Sequence, residues 1–226
     1  MNRNEFDSLP IERAEQSFLQ RVYQWMAAGL ALTGFVAFWV AGNPGLLRML
    51  SGGFFFILMI AELGLVFWLS SQVLKISAQA AITAFLVYSA LNGLTLSFIF
   101  AVYTGASIAS TFFITAGTFA GVSLYGSVTK TNLASIQGYL VMGLIGVLIG
   151  SVINIFFHSP VFYWILTYIG LAVFIGLTAY DTQRLKAIHQ SGVGTNDQMA
   201  ILGALALYLD FINMFLLLLR LFGRRR

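Results

Sequence analysis

Seven long runs of mostly apolar residues divide this sequence, and they restrict its fold more than any other feature. The runs cover residues 22–41, 52–69, 81–103, 107–127, 138–157, 161–180 and 199–219. A helix needs about 20 mostly apolar residues to cross a hydrocarbon core roughly 30 Å thick. A membrane β-barrel would instead show short segments of alternating polarity. The runs therefore predict an all-α integral membrane protein with seven transmembrane helices.

The composition excludes an ordinary soluble domain and several kinds of chemistry. Hydrophobic residues make up 59% of the chain and charged residues only 9%, against roughly 25% charged residues in a typical soluble domain. The absence of cysteine excludes disulfides, thiolate metal sites and cysteine catalysis. The sequence has no ATP-binding loop, haem ligand pair or redox motif, so a primary pump or an electron carrier is not expected. We expect no cofactor and no nucleic-acid partner.

The connections between the runs are too short to separate domains. We predict a polar N-terminal tail (residues 1–21), one membrane domain (residues 22–223) and a basic C-terminal end (residues 224–226). The arginines of the basic end are expected to touch lipid headgroups, because a basic segment beside a span usually does. The longest loop is predicted over residues 181–198 and contains Gly192 and Gly194.

Glycines at four-residue spacing occur in spans four and five, as Gly117 with Gly121 and Gly146 with Gly150. Small residues at this spacing let membrane helices approach each other closely. We therefore expect these glycines to lie at contacts with neighbouring helices.

Lysine and arginine are unevenly divided between the two sides of the membrane. Seven spans place the N-terminal tail on the same side as the loops that carry Lys75, Lys130, Arg184 and Lys186. With the tail included, this side holds seven of the twelve Lys and Arg residues and the other side holds five. Cytoplasmic loops carry an excess of Lys and Arg, so the N-terminus is predicted to be cytoplasmic, although the basic C-terminal end opposes this assignment.

Three carboxylates lie in the spans or at their ends: Glu62 in span two, Asp181 at the end of span six and Asp210 in the middle of span seven. A carboxylate within a span costs on the order of 2.5–3.5 kcal/mol on insertion scales, so it usually faces the bundle interior and has a function. Glu62 is either protonated and hydrogen-bonded inside the bundle or part of a polar pathway.

Asp181 and Asp210 are expected at similar depths. If helix six continues through residues 187–189, Asp181 lies roughly 12 Å from that end, and Asp210 lies roughly 18 Å from the same side. Two carboxylates that meet in low dielectric do not both ionise easily, so the pair is expected to titrate as a coupled unit near physiological pH. A purely structural alternative is that Asp181 lies at the interface and pairs with Arg184, one turn further on.

Such a pair has three possible uses. It could bind a cation such as Ca²⁺, which takes carboxylate and carbonyl oxygens as ligands. It could act as a proton-controlled latch between two helix arrangements, or activate water as in aspartic proteases. Asn213 follows Asp210 by one turn on the same face, where it could orient or hydrogen-bond the carboxylate.

Two segments resemble the signature of the Bax inhibitor-1-like family, also called the transmembrane Bax-inhibitor-motif proteins. They are LGALALYLDFINMFLLLLRLFG at residues 202–223 and GLTAYDTQRLK at residues 176–186. Residues 123–140 and 154–156 also fit, and the resemblance covers nearly all of the chain from span one onward. The chain looks like a bacterial inner-membrane member of this family.

The resemblance implies six helices wrapped around a central C-terminal helix and a pH-sensitive Ca²⁺ leak. Asp181 and Asp210 match the family's aspartate pair, which implies that they are the proton sensor and gate and that Ca²⁺ is the permeant or bound ion. Glu62 matches an acidic residue of some members more loosely. Some bacterial relatives have an arginine near the end of span two that latches onto the pair, but residues 68–72 contain none, which puts that closing mechanism in doubt. A second implied role is modulation of membrane proteases and of stress or cell-death responses.

Three functions are therefore considered. The first is a passive, proton-gated cation leak without enzymatic activity. The second is a regulatory protein that binds membrane partners, such as a membrane protease, and conducts no ions. The third is an intramembrane aspartyl protease, which is disfavoured because Tyr208 and Leu209 precede Asp210 where such enzymes have a GxGD motif. The oligomeric state is left open, and a monomer is compatible with the sequence.

Overall fold

The structure is a computed structural model that describes the backbone of residues 3–191 and 196–226 and the side chains of residues 15–188 and 197–226. Most of the described chain is helical. The α-helices are α1 (Arg3–Ala41), α2 (Pro44–Leu50), α3 (Gly53–Gln72), α4 (Ala78–Leu96), α5 (Ile99–Val102), α6 (Gly105–Val128), α7 (Gln137–Phe157), α8 (Pro160–Ser191) and α9 (Asn196–Phe222). A short 3-10 helix (Leu133–Ile136) precedes α7.

Seven helical segments of the described chain are long and apolar enough to cross a membrane. They are Glu15–Ala41, Gly53–Gln72, Ala78–Val102, Gly105–Val128, Leu133–Phe157, Pro160–Ile188 and Asp197–Phe222. The predicted all-α membrane fold with seven spanning helices is confirmed.

Helix α8 continues beyond the predicted end of span six. The predicted loop over residues 181–198 is wrong, because residues 181–191 are helical and α9 begins at Asn196. Residues 181–191 (DTQRLKAIHQS) contain no glycine or proline, so no residue there terminates the helix. Asp181 therefore lies inside a helix, as the depth argument assumed. Gly192 and Gly194 lie outside the described residues.

Helix α1 also begins earlier than predicted span one. Its backbone is helical from Arg3, and the part that could cross a membrane begins at Glu15. Two ion pairs tie this end of α1 to the end of α8 and the start of α9, namely Glu15 with Lys186 (2.8 Å) and Arg21 with Asp197 (3.1 Å). The division into tail, membrane domain and basic end stays a prediction.

The helices form two compact units, Met1–Val102 with Leu185–Tyr208 and Tyr103–Arg184 with Leu209–Arg226. In the first unit α1 packs against α2, α4 and α5, and α3 packs against α2 and α4. A Cβ atom added at Gly29 would lie 2.6 Å from the Phe85 ring, and one at Gly93 would lie 2.7 Å from the carbonyl oxygen of Thr33. Helices α1 and α4 therefore approach each other closely at two glycines, and a Cβ atom at Gly93 would meet backbone.

The second unit contains both intramembrane aspartates. Its apolar cluster joins one face of α8 to one face of α9; the buried members are Val173, Phe174, Leu177, Met214, Leu217 and Leu218. The Phe211 ring of α9 also contacts the rings of Phe112 and Phe119 on α6, at centroid distances of 5.4 Å and 5.6 Å. These contacts fix the part of α9 that carries Asp210 against α6 and α8.

The glycine pairs of spans four and five behave differently from expectation. A Cβ atom added at Gly117, Gly121 or Gly146 would meet no described atom within 4 Å, so the expected close contacts are wrong for these three. Gly150 does lie at a close contact, because a Cβ atom there would be 2.7 Å from the side chain of Leu166. The spacing alone did not show which face of each helix meets a neighbour.

Helix α9 is the most buried of the seven candidate spans. In its most apolar stretch 72% of the residues are buried, against 6% to 33% in the other six. The arrangement of six helices around α9 stays a prediction, which this difference in burial favours.

Candidate functional site

Asp210 lies in the middle of α9 and is only 4% exposed. Its Oδ2 atom is fully buried and has no hydrogen-bond partner among the described residues. A buried polar atom without a partner costs about 1–3 kcal/mol, and more when the group is charged. A carboxyl buried within a membrane span is costly and usually has a function, so this carboxyl is the first candidate for a proton or ion site.

Asp181 of α8 is brought close enough to Asp210 for the two carboxyls to interact electrostatically. It is partly buried, and Arg184 on the next turn of α8 is a second electrostatic neighbour. The structural alternative of an Asp181–Arg184 ion pair is not observed, since neither of the ion pairs among the described residues includes these side chains. The structure therefore places the two predicted aspartates together in one unit.

Buried hydroxyl groups adjoin the aspartates. The Thr178 hydroxyl lies beside the Asp210 carboxyl and donates to the Phe174 carbonyl at 2.8 Å. Thr182, one turn further along α8, donates to the Thr178 carbonyl at 2.7 Å, and its hydroxyl is 2.9 Å from that of Ser123 on α6. Hydroxyls can both donate and accept, so these side chains can serve either protonation state of a neighbouring carboxyl.

Gln183 of the same α8 segment fixes the connection between α6 and α7. Its Oε1 accepts from the backbone N–H of Leu133 at 2.8 Å, and its Nε2 donates to the carbonyl of Thr131 at 2.9 Å. The sequence did not predict Gln183, Thr178 or Thr182 as site residues. Their position within one turn of Asp181 was the available signal.

Asn213 does not support Asp210 in the expected way. Its Nδ2 donates to the carbonyl of Leu209 on its own helix at 2.8 Å. Asparagine in a helix commonly makes such local bonds to the backbone. The structure records no hydrogen bond between Asn213 and the Asp210 carboxyl among the described residues.

Glu62 lies in the first unit, on α3, and is partly buried. Its Oε1 accepts from the Thr95 hydroxyl of α4 at 2.8 Å. The same hydroxyl is 2.9 Å from the carbonyl of Asn92, whose own Oδ1 is buried without a partner among the described residues. Glu62 is thus hydrogen-bonded inside its unit, while its protonation and its place in a polar pathway stay predictions.

Tyr208 stands two residues before Asp210 and is fully buried in the first unit. Its hydroxyl is 2.6 Å from that of Thr33 on α1, which donates to the carbonyl of Ser89 on α4 at 2.8 Å. Its ring packs edge-to-face on Phe85 and Tyr88. The tyrosine of the YLDFIN segment therefore joins α9 to α1 and α4, a role that was not predicted from the sequence.

The family model described as "Inhibitor of apoptosis-promoting Bax1" matches residues 15–226. This chain belongs to the Bax inhibitor-1 family. It is 49% identical to the "Inner membrane protein YbhL" of Escherichia coli K12, with 97% of each chain covered. It is also 42% identical to a protein of Borreliella burgdorferi over 94% of each chain, and 36% identical to a membrane protein of Streptococcus pyogenes serotype M1 over 92% of each chain.

In this Bax inhibitor-1 family member, the aspartate pair offers oxygen ligands but few of them. The described residues contain no group of three or more His, Cys, Asp or Glu side chains that could hold a metal ion. A tightly bound Ca²⁺ takes 6–8 oxygen ligands. The two carboxyls alone therefore provide fewer oxygen atoms than a tightly bound Ca²⁺ takes.

Proposed function

We propose that this protein is a pH-sensitive, passive cation leak, that Ca²⁺ is the ion it passes, and that Asp181 and Asp210 are its proton sensor and gate. The observation that carries the proposal is the buried Asp210 carboxyl, whose Oδ2 has no partner among the described residues and which interacts electrostatically with Asp181. The site acts by binding and releasing ions, so no enzymatic activity is proposed.

A proton and a cation compete for the same carboxyl oxygens. When the pair holds a proton, its charge is lower and its affinity for a divalent cation falls. When both carboxyls are ionised, their repulsion is relieved by a bound cation or by separation of α8 from α9. Either response links ion passage to pH. Protonation changes the charge of the aspartate pair and, through the repulsion between the two carboxyls, the contact between α8 and α9.

The test is Ca²⁺ entry into liposomes that contain a Ca²⁺-sensitive dye and the purified, reconstituted protein. Flux is recorded between pH 6 and pH 8 for the wild type, Asp181→Asn and Asp210→Asn. Asparagine keeps the shape of the side chain and removes its titration. We therefore expect a pH-dependent flux in the wild type and an altered pH dependence in both variants, because each variant leaves one carboxyl of the pair to titrate alone.

Asp197→Asn is the matched control, because it makes the same chemical change at an exposed aspartate paired with Arg21. It is expected to keep the wild-type pH profile, since an exposed ion pair contributes only about 0–1 kcal/mol. A wild type that matches empty liposomes at every pH would refute the leak and favour the alternative, a regulatory protein that binds membrane partners such as a protease. Crosslinking to a stoichiometric membrane partner would then be the next experiment.

Glu62 is assigned a supporting place in the pathway. Its hydrogen bond to Thr95 satisfies one carboxyl oxygen, which favours a role different from that of Asp210, whose Oδ2 has no partner among the described residues. The location proposed is the inner membrane of a bacterium, which the name of the E. coli relative supports. The distribution of Lys and Arg supports a cytoplasmic N-terminus.

A further inference from the structure

We propose that residues 220–226 form a binding site for the phosphate groups of anionic phospholipids. The side chains concerned are Arg220, Arg224, Arg225 and Arg226, and Ser107 at the start of α6 positions the segment. The site is separate from the aspartate pair and does not depend on the proposed leak.

The backbone after α9 is fixed against the start of α6. Arg224 accepts at its carbonyl from the N–H of Thr104 (3.1 Å) and donates its own N–H to the Ser107 hydroxyl (3.0 Å). Arg225 forms an antiparallel bridge with Tyr103. A Cβ atom at Gly223 would lie 2.6 Å from the Tyr103 ring, so glycine permits this contact. The arginines therefore project from a defined strand-like segment.

The positive charge of this segment is not neutralised nearby. Arg220, Arg224, Arg225 and Arg226 are all exposed, and neither ion pair among the described residues includes any of them. The second unit has only two acidic side chains, Asp181 and Asp210, and both lie within candidate spans. Four guanidinium groups are therefore available to an external anion.

Aromatic residues place this charge at a membrane surface. The Arg220 guanidinium lies over the Tyr163 ring at 5.3 Å, a cation–π contact that orients it. Trp164 follows Tyr163 and is 42% exposed, and Phe222 precedes Gly223 and is 59% exposed. Tyr and Trp are enriched where a span meets the headgroups. The patch therefore combines apolar side chains for acyl chains with cations for a headgroup.

Phospholipid phosphate is the anion that fits this combination best. Arginine binds phosphate through two parallel N–H···O bonds, which gives geometric selectivity beyond charge. The segment follows a spanning helix directly, so the headgroups of the adjoining leaflet are the nearest anions. Each basic residue near an anionic surface contributes about 1 kcal/mol, which corresponds to about fivefold in binding.

The experiment measures which lipid the purified full chain retains. Protein in detergent is mixed with equal amounts of phosphatidylglycerol and phosphatidylcholine of the same acyl chains, and bound lipids are counted by native mass spectrometry. We expect retention of phosphatidylglycerol over phosphatidylcholine, and a loss of about fivefold for each arginine removed in Arg224→Gln and Arg225→Gln. Arg224→Lys is expected to retain more lipid than Arg224→Gln.

Two further variants distinguish lipid binding at a defined site from lipid binding that depends only on the net charge of the protein. Lys130→Gln removes an exposed cation from the opposite side of the second unit and is expected to retain lipid like the wild type. Ser107→Ala keeps every charge, removes the acceptor for the Arg224 N–H and is expected to lose selectivity. Equal retention of the two lipids by the wild type, an equal loss in Lys130→Gln, or an unchanged Ser107→Ala would each overturn the proposal. Displacement of phosphatidylglycerol by millimolar inorganic phosphate would also overturn it, by assigning the site to free phosphate.

Discussion

Thr178 brings a hydroxyl group of α8 beside the Asp210 carboxyl. Its hydroxyl donates to the Phe174 carbonyl and stands beside the carboxyl. A hydroxyl that rotates toward an ionised carboxyl gives it a hydrogen bond, and one that stays on Phe174 can accept from a protonated carboxyl. Thr178 can therefore follow the protonation of Asp210 without a change in backbone.

We expect Thr178→Val to shift the midpoint of pH-dependent Ca²⁺ flux upward by on the order of one pH unit. The reason is that valine removes a donor from the ionised carboxyl, and hydrogen bonds to charged groups contribute about 1.5–3 kcal/mol, where 1.36 kcal/mol equals one unit. Thr167→Val is the control, because Thr167 is equally buried on α8 and makes the same bond to its own helix, at 2.8 Å from the Tyr163 carbonyl. Equal shifts in both variants would contradict a specific role for Thr178.

The sequence was sufficient to select the aspartates as candidate site residues but not their neighbours. Asp210 stands out because a carboxylate in an apolar run has few explanations. Thr178, Gln183 and Tyr208 do not stand out, because hydroxyl and amide side chains are frequent in membrane helices and often bond to their own backbone. Asn213 illustrates the difficulty, since its correct placement on the face of Asp210 did not predict its bond to Leu209.

At the level of helices, contact between α1 and α4 depends on glycine at two positions. We expect Gly93→Ala to lower the thermal unfolding temperature of the detergent-solubilised protein, because the added carbon would lie 2.7 Å from the Thr33 carbonyl and 2.8 Å from Val36 Cβ. Overpacking of this kind costs about 1–3 kcal/mol. Differential scanning fluorimetry of the two proteins measures the change.

Gly34→Ala is the control for this prediction. Gly34 also lies in the first unit, but a Cβ atom there would meet no described atom within 4 Å. Alanine is the better helix former by about 1 kcal/mol, so this variant is expected to unfold at the same or a higher temperature. A similar decrease in both variants would show that the close contact at Gly93 does not explain the effect.

Helix boundaries show which part of an element can be read from the sequence. The apolar runs located all seven spans, because crossing the membrane requires them. They did not locate the end of α8, because its last residues leave the apolar run but remain helical, and hydrophobicity carries no information about a polar helical turn. Likewise, Gly93 and Gly117 lie in similar apolar runs, but of these two only Gly93 lies at a close contact with a neighbouring helix. The rotation of each helix about its axis decides this, and the apolar run does not reveal that rotation.

For the whole molecule, the direction of insertion decides which leaflet and which solution each site meets. The Lys and Arg count supports a cytoplasmic N-terminus by seven residues to five. That assignment puts the loop between α6 and α7 in the cytoplasm and the turn between α7 and α8 on the outer side, because the single span of α7 separates them. The arginines of residues 220–226 would then face the outer leaflet of the membrane.

The chain contains no cysteine, so a single introduced cysteine shows on which side of the membrane it lies, without a signal from other thiols of the protein. We expect His158→Cys, in the exposed turn before α8, to react with a membrane-impermeant maleimide in intact spheroplasts. Ser135→Cys, which is exposed before α7, is expected to react only after the membrane is permeabilised. The reverse pattern would show that the basic C-terminal end, and not the basic loops, determines the orientation of the protein in the membrane. It would place the proposed lipid site in the cytoplasmic leaflet.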